Sequence, residues 1–536
     1  MSIVLGQINT LVGDLKGNAE KITKILDTCS HDDLAVFPEL TISGYPPQDL
    51  LEFPWFVDKC LSAVNDLAKR HQTKSFLVGL PYRSGDRLYN AAAFCTNGLI
   101  KDLFFKTLLP NYDVFYEGRY FSSNYKDKPN ILVWNGMRLL IAICEDIWFD
   151  DKRYDWDPVE NANKYKVDGI INLSASPYYK GKTYVRQDIV KSVMDRTNIK
   201  FLAYCNQVGL NDQVLFDGAS FFCLRGSIQP VFFYAPSFKE TELSYNTDFA
   251  GSRISCSNDD FGLGLPMSQH DPLKETKNGI VLGIQDYFRK SGRKPVAVLG
   301  LSGGIDSAFT ACLAADALGP DNVFGYTMPT EFSTAGSINN SFLIAKNLGI
   351  HCEEIPIGEI HDLFRKGLDF KRDFQEGSLT DQNIQPRIRM IMLMAKSCVS
   401  GGLVLGTSNK SELQMNYGTL YGDLSCGLNP LGDLYKTEIY EMAEKLYKDV
   451  IPYDTLYQPP SAELAHNQKD TDSLPPYAEL DPKLVKFLEK KEQIEDDLMH
   501  RIALAQFKRE QSPIIIKVSR KAFGAGWRFP VLQKFF

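Results

Sequence analysis

The stretch Val296-Ala297-Val298-Leu299-Gly300-Leu301-Ser302-Gly303-Gly304-Ile305-Asp306-Ser307 decides how the second half of this 536-residue chain is read. An apolar run, a glycine turn and then Ala308-Phe309-Thr310-Ala311-Cys312-Leu313-Ala314-Ala315, which reads as a buried helix, predict strand, loop and helix in succession. Such a junction is an anion site. Backbone N–H groups converge there and the helix dipole adds positive potential. Glycines at 303 and 304 let the main chain approach a phosphate with no Cβ in the way. No Gly-Lys-Ser/Thr follows, so the loop is not a Walker A motif.

Outward from that stretch, Val323–Thr327 and Leu403–Gly406 read as further strands. Ile305–Leu318, Ile338–Leu348 and Arg387–Val399 read as helices, with Pro386 as the N1 residue that opens the last one. Gln458–Asp481, with two Pro-Pro pairs, reads as a loop, and Lys483–Lys508 as a charged, interrupted helical region. The Asn/Asp/Gly/Pro-rich stretch Asn258–Asp271 marks a boundary, giving domains over 1–260 and 276–536 with a linker over 261–275. Before it, short apolar strands (Ile3–Leu5, Leu34–Phe37, Phe76–Val78, Leu139–Ile143, Gly169–Leu173, Phe201–Tyr204) alternate with helical stretches Asn18–Cys29 and Val57–Arg70. The two halves are different α/β folds and not a duplication.

Composition narrows the class. The hydrophobic share of 44% and charged share of 23% are those of a globular protein. A net charge of −7 argues against a nucleic-acid partner. Eleven cysteines with no Cys-x-x-Cys pair suit a reduced compartment, and seven scattered histidines offer no zinc motif. No signal peptide or membrane-spanning run is read, so the expected location is the cytoplasm, with no membrane partner.

In the first half Glu39, Lys106 and Cys144 each follow an apolar run, where an α/β sheet gathers reactive groups at strand carboxyl ends. Together they could hydrolyse an amide. A thiolate attacks the carbonyl, a carboxylate shuttles protons and an ammonium holds the oxyanion. The cysteine would need a lowered pKa, which a nearby lysine helps to supply.

Phe37-Pro38-Glu39-Leu40, Lys106-Thr107-Leu108-Leu109-Pro110-Asn111-Tyr112-Asp113-Val114-Phe115-Tyr116-Glu117 and Cys144-Glu145-Asp146-Ile147-Trp148 resemble the signature blocks of the nitrilase superfamily, in the family's order. The resemblance implies an α-β-β-α sandwich, with Glu39 as general base, Lys106 as oxyanion stabiliser, Cys144 as nucleophile and Glu117 as an assisting glutamate. From the glutamine-using branch it implies substrate contacts at Tyr112, Ser176 and Lys182.

Ser302–Ser307 resembles the SGGxDS loop of the PP-loop ATP pyrophosphatases, which release AMP and pyrophosphate. That implies a Rossmann-like PP-loop domain of the adenine nucleotide alpha hydrolase type. Leu379-Thr380-Asp381-Gln382-Asn383-Ile384-Gln385-Pro386-Arg387-Ile388-Arg389, Leu405-Gly406-Thr407-Ser408-Asn409-Lys410-Ser411-Glu412 and Tyr417-Gly418-Thr419-Leu420-Tyr421-Gly422-Asp423 are similar to blocks of NAD synthetases, with Ser408 in place of a usual glycine. Over nearly its whole length the chain resembles the glutamine-dependent NAD synthetases, carbon–nitrogen ligases that use glutamine, ATP and deamido-NAD. By that resemblance Gly300, Leu301, Ser302, Gly303, Gly304, Ile305, Asp306, Ser307 and Thr407 would bind ATP. Asp306 and Glu412 would hold Mg²⁺. Asn383, Glu412, Tyr417, Gly418, Thr419 and Leu420 would face deamido-NAD. Lys508 reads equally as a partner of the dinucleotide pyrophosphate and as a solvated helix charge. A homo-oligomer is a family expectation. The rival reading is another amidotransferase acting on a different carboxylate or a nucleobase.

Overall fold

The structure is a computed structural model that describes residues 1–124, 129–149, 152–247, 254–256, 271–367, 377–521, 523–524 and 526. The chain divides into two compact units, Met1–Glu275 and Thr276–Phe536. Most of the Asn258–Asp271 boundary stretch lies outside the described residues. Pro272–Lys290 is a helix, so residues 272–275 of the stretch read as linker are helical.

In the first unit the apolar runs are buried on both faces, which is why they read as nearly continuous. One sheet has seven strands in the order Ile254–Cys256, Thr241–Asn246, Ser2–Gln7, Leu34–Val36, Ser75–Ser84, Arg87–Thr96 and Leu99–Phe105. The other has six: Val231–Tyr234, Phe221–Leu224, Phe201–Asn206, Gly169–Ser174, Met137–Ile143 and Ile131–Trp134. Side chains alternate along each strand. Ile3, Leu5, Leu34 and Val36 of one sheet and Leu139, Ile141, Ile143 and Leu173 of the other therefore share one core. Val4, Ala35 and Phe76 point the other way, under Ile22, Leu26, Cys60 and Val64 of helices Leu15–Thr28 and Pro54–Arg70. On the second sheet Leu140, Ile170 and Leu202 lie under Val190, Val193 and Met194 of helix Lys182–Arg196. The result is the expected α-β-β-α sandwich. Each fully buried aliphatic side chain contributes about 1.5–3 kcal/mol.

The sequence reading missed Arg87–Thr96 and saw only the apolar end of Leu99–Phe105, before Lys106. The second carries exposed Lys101 and Asp102 on an edge strand, which hides its apolar face.

The second unit holds a parallel sheet in the order His351–Glu354, Val323–Thr327, Ala297–Gly300, Leu403–Val404. The strand order reverses between Ala297–Gly300 and Leu403–Val404, and the crevice at such a switch point is where open α/β sheets bind ligands. The loops holding Ser302–Gly304 and Leu405–Asn409 leave from it.

Two readings need correction. Pro386 does not open its helix: the helix runs Leu379–Ser400 with Pro386 inside it. Ser378 caps the start, its side chain accepting the Asp381 N–H, and Pro386 is buried against the Gly422 backbone. The stretch read as a loop up to Asp481 already contains the start of helix Tyr477–Val485. The interruption expected after it falls at Lys491–Glu495, before helix Asp496–Arg509.

Candidate active sites

Glu39, Lys106 and Cys144 leave the carboxyl ends of Leu34–Val36, Leu99–Phe105 and Met137–Ile143. Two of these strands belong to the seven-stranded sheet and one to the six-stranded sheet. Lys106 Nζ donates to Glu39 Oε1 at 2.6 Å and to Glu117 Oε1 at 2.8 Å. Glu39 also accepts from Asn90 Nδ2 at 2.7 Å and from the Ala175 N–H at 3.0 Å, and Tyr45 OH donates to Glu117 at 2.9 Å. All of these side chains are buried.

Cys144 has φ +45°, the left-handed region, and starts the turn Cys144–Ile147. The expected depression of its pKa does not hold. Lys106 does pull it down, but burial, followed by the Glu39 charge, dominates and the free thiol sits well above its ordinary value. A nucleophilic role for this thiol would require its proton to be removed as it attacks. Burial alone would lower Lys106, but Glu117 and Glu39 together hold it well above the usual lysine range. Burial pushes Glu117 up to about 7, against the pull of Lys106.

The residues expected to hold substrate lie around this cluster. Tyr112 OH donates to Glu145 at 3.0 Å, and Tyr154 OH donates to the same carboxylate at 2.8 Å. Glu145 is buried, and that burial raises its pKa. The Lys182 ammonium lies 4.0 Å from the Trp148 ring centroid. Ser176 is buried, and its carbonyl accepts from Arg186, whose guanidinium forms a buried two-bond pair with Asp217 at 2.6 and 2.8 Å.

In the second unit a cavity of about 610 Å³ opens at the switch point. Its walls bring together Gly300–Ser307, Thr407, Asn383, Glu412, Tyr417, Gly418, Thr419 and Lys508. Leu420 is not among the lining residues; its carbonyl accepts from Arg387 at 3.2 Å. Gly303 has φ +77°, and a Cβ there would stand 2.2 Å from the Ser337 carbonyl oxygen, so only glycine fits. Asn409 caps the Lys410–Gln414 helix through the Glu412 N–H and donates Nδ2 to Asp306 at 3.1 Å. Between Asp306 and Glu412 lies Lys436, which pairs with Asp306 and donates to Glu412 at 3.1 Å. Burial pushes Glu412 up to about 8, against the pull of Lys436. Asp470 accepts from Tyr417 OH and Tyr477 OH, both at 2.9 Å, and also lines the cavity. Lys508 Nζ donates to the Gly418 carbonyl at 2.7 Å and is half-buried.

Residues 3–223 match the carbon–nitrogen hydrolase family and residues 276–522 the NAD synthase family. The chain is 38% identical to the glutamine-dependent NAD(+) synthetase of Synechocystis sp., over all of this chain and 99% of the relative. It is 36% identical to that of Aquifex aeolicus, over the full length of both. The chain belongs to the glutamine-dependent NAD(+) synthetase family. The structure of the Acinetobacter baumannii family member in complex with ADP superposes with a TM-score of 0.77 at 29% identity, covering 99% of this chain and 98% of that one. The Cytophaga hutchinsonii family member, at 20% identity and a TM-score of 0.80 over 99% and 98%, shares the fold.

Sequence reasoning named most of these groups but missed Asn90, Tyr45, Glu145, Tyr154, Lys436 and Asp470. Glu145 directly follows Cys144 in Cys144-Glu145-Asp146-Ile147-Trp148, which is the signal that could have found it. Lys436, in Leu434-Tyr435-Lys436-Thr437-Glu438, carried only the signal of a helix start.

Proposed function

We propose that the first unit releases ammonia from glutamine and that the second uses it to amidate an adenylated deamido-NAD, giving NAD, AMP and pyrophosphate. The observation that carries the first half is Lys106 held between Glu39 and Glu117 beside a buried cysteine. Glu39 takes the thiol proton as Cys144 Sγ attacks the amide carbon. Lys106 faces the oxyanion, and the tetrahedral adduct collapses to a thioester as Glu39 returns the proton to the leaving ammonia. Glu39 then takes a proton from water as its oxygen attacks the thioester, the C–S bond breaks to free glutamate, and Glu39 returns the proton to the departing Cys144 sulfur. Glu117 holds Lys106 in place. Glutamine carries an ammonium and a carboxylate on its α-carbon. Glu145, braced by Tyr112 and Tyr154, suits the ammonium, and Lys182 suits the carboxylate. Ser176, tied to the Arg186–Asp217 pair, completes this set of proposed substrate contacts.

In the second unit the Gly300–Ser307 loop and Lys436 cradle the β,γ-phosphates while the nicotinate carboxylate attacks the α-phosphorus, and Thr407 contacts the nucleotide. Asn383, Glu412, Tyr417, Gly418 and Thr419 face deamido-NAD, and Lys508 sits at the same wall near its pyrophosphate; Leu420 lies off that wall and outside this set. Ammonia then displaces AMP from the acyl-adenylate. Asp306 and Glu412 fit Mg²⁺: two carboxylates already converge on one cationic group, and phosphate oxygens and water would complete a hard-cation shell. When bound, the metal would neutralise charge on the departing pyrophosphate.

Eleven unpaired cysteines suit a reducing cytoplasm. Apolar Leu363, Ile391 and Met394 stand exposed on the second unit and suit a homo-oligomer.

The deciding experiment is NAD formation from deamido-NAD, ATP and Mg²⁺, run in parallel with glutamine and with ammonium chloride. Product from both sources is expected. AMP release without NAD would refute the acid acceptor.

A further inference from the structure

The nucleophile and its two partners stand on different sheets of the sandwich. Cys144 ends a strand of the six-stranded sheet, whereas Glu39 and Lys106 follow strands of the seven-stranded one. Something must fix the spacing across the two layers. For Glu39 the Ala175 N–H does so, donating from the end of Gly169–Ser174 in the opposite sheet.

For Lys106 the fixing group is a carboxylate with no part in the mechanism above. Asp146 Oδ1 accepts from the N–H groups of Thr107 and Leu108, each at 2.9 Å, the two residues that follow the lysine. Asp146 Oδ2 accepts from the N–H of Ile143 at 2.9 Å, the residue that precedes the cysteine. Its relative exposure is 1%. One side chain thus joins the ends of two strands in two sheets, at the residues flanking both reactive groups.

We infer, on the amidase reading above, that Asp146 is a positioning residue: a staple across the sandwich that sets Lys106 against Cys144 and holds the cysteine turn in its left-handed conformation. An ionised carboxylate is acceptor-only on both oxygens and satisfies all three N–H groups. Burial raises the carboxyl's pKa, and the three N–H bonds and Lys106 restrain the rise; with N–H donors on both oxygens the geometry suits the ionised form. Asparagine offers one acceptor oxygen and would turn an NH₂ group towards at least one of the three donors.

The test uses the full chain carrying D146N, with D146E as a second variant should the first fail to fold. Active sites are titrated with a glutamine-like diazoketone that alkylates Cys144, the adduct is located by mass spectrometry, and glutamine hydrolysis is expressed per titrated site. In D146N kcat per site is expected to fall about 10²-fold, the usual cost of a displacement near 1 Å. KM for glutamine should stay within about threefold, because the Asp146 carboxylate bonds backbone N–H groups and touches none of the substrate-facing side chains, and Glu145 keeps its own Tyr112 and Tyr154 braces. D146E should show the same split with a smaller fall. A residue that only stabilised the fold would reduce the number of titratable sites and leave kcat per site unchanged, and that result overturns the inference. A rise in KM at constant kcat overturns it too. If instead the unmodified chain is not alkylated at Cys144, or still hydrolyses glutamine once alkylated, the nucleophile assignment itself fails.

Discussion

Both candidate sites hold a buried lysine between two carboxylates, and they use the arrangement differently. Around Lys106 the trio is sealed: side-chain exposure is 1% for the lysine, 0% for Glu39 and 5% for Glu117. Around Lys436 the lysine is equally buried at 3%, but Asp306 and Glu412 keep 17% and 15% and open onto the large cavity. A sealed trio can only reorganise internally, which suits proton transfer and a fixed oxyanion partner. An open one can exchange partners with an incoming polyanion and its metal. On the proposed reading, the same local charge pattern serves chemistry in one unit and ligand capture in the other.

The strongest way to break that comparison is to remove one acting group from each unit. Cys144→Ala should lower glutamine-driven NAD formation at least about 10³-fold and leave ammonia-driven formation intact. Asp306→Ala should lower synthesis from either nitrogen source at least about 10²-fold. Both are read in the parallel glutamine and ammonium assay. A Cys144→Ala chain that loses both activities while folded would end the division of labour.

Next comes Lys436→Met, which leaves Asp306 and Glu412 without their shared cation. Synthesis from both sources should fall about 10²-fold, with glutamine hydrolysis retained. Intact synthesis would mean that the lysine is only structural.

Glu145→Gln sharpens the glutamine side. KM for glutamine should rise about tenfold with kcat within about threefold, the scale of one charge-assisted hydrogen bond. A neutral amide lacking the α-ammonium should show no such rise, which initial-rate kinetics on the two substrates would check.

The smallest effect is on stability. Glu117 is raised from an ordinary 4.5 to about 7, so its protonated form favours the fold. That contribution is full below pH 4.5 and lost as pH rises through about 7. In Glu117→Gln it cannot be lost. The melting temperature of the variant relative to the unmodified chain should therefore climb by a few degrees between pH 5 and pH 8, measured by calorimetry. A difference that stays constant with pH would show that Glu117 is not the titrating group.

Most of these residues were legible because they follow buried strands, and a polar group after an apolar run is visible in one dimension. Cys144, Glu39 and the Ser302–Ser307 loop are of this kind. Asn90 was not, because its strand was missed. Lys436 meets Asp306 across 130 positions, and Asp146 meets Thr107 across 39, so only the folded chain brings them together. Pro386 misled for a local reason. Proline favours a helix start, yet the Ser378 cap and the packing against Gly422 carry the helix through it.

That proline has a mechanical consequence. Without an N–H it cannot supply the rung that would reach back to the Gln382 carbonyl, so the helix is one tie short where Gln382, Asn383 and Pro386 form part of the cavity wall. A bend at that point has one backbone hydrogen bond fewer to strain. The helix is thus braced by one rung fewer at this point of the wall than a helix with every rung in place.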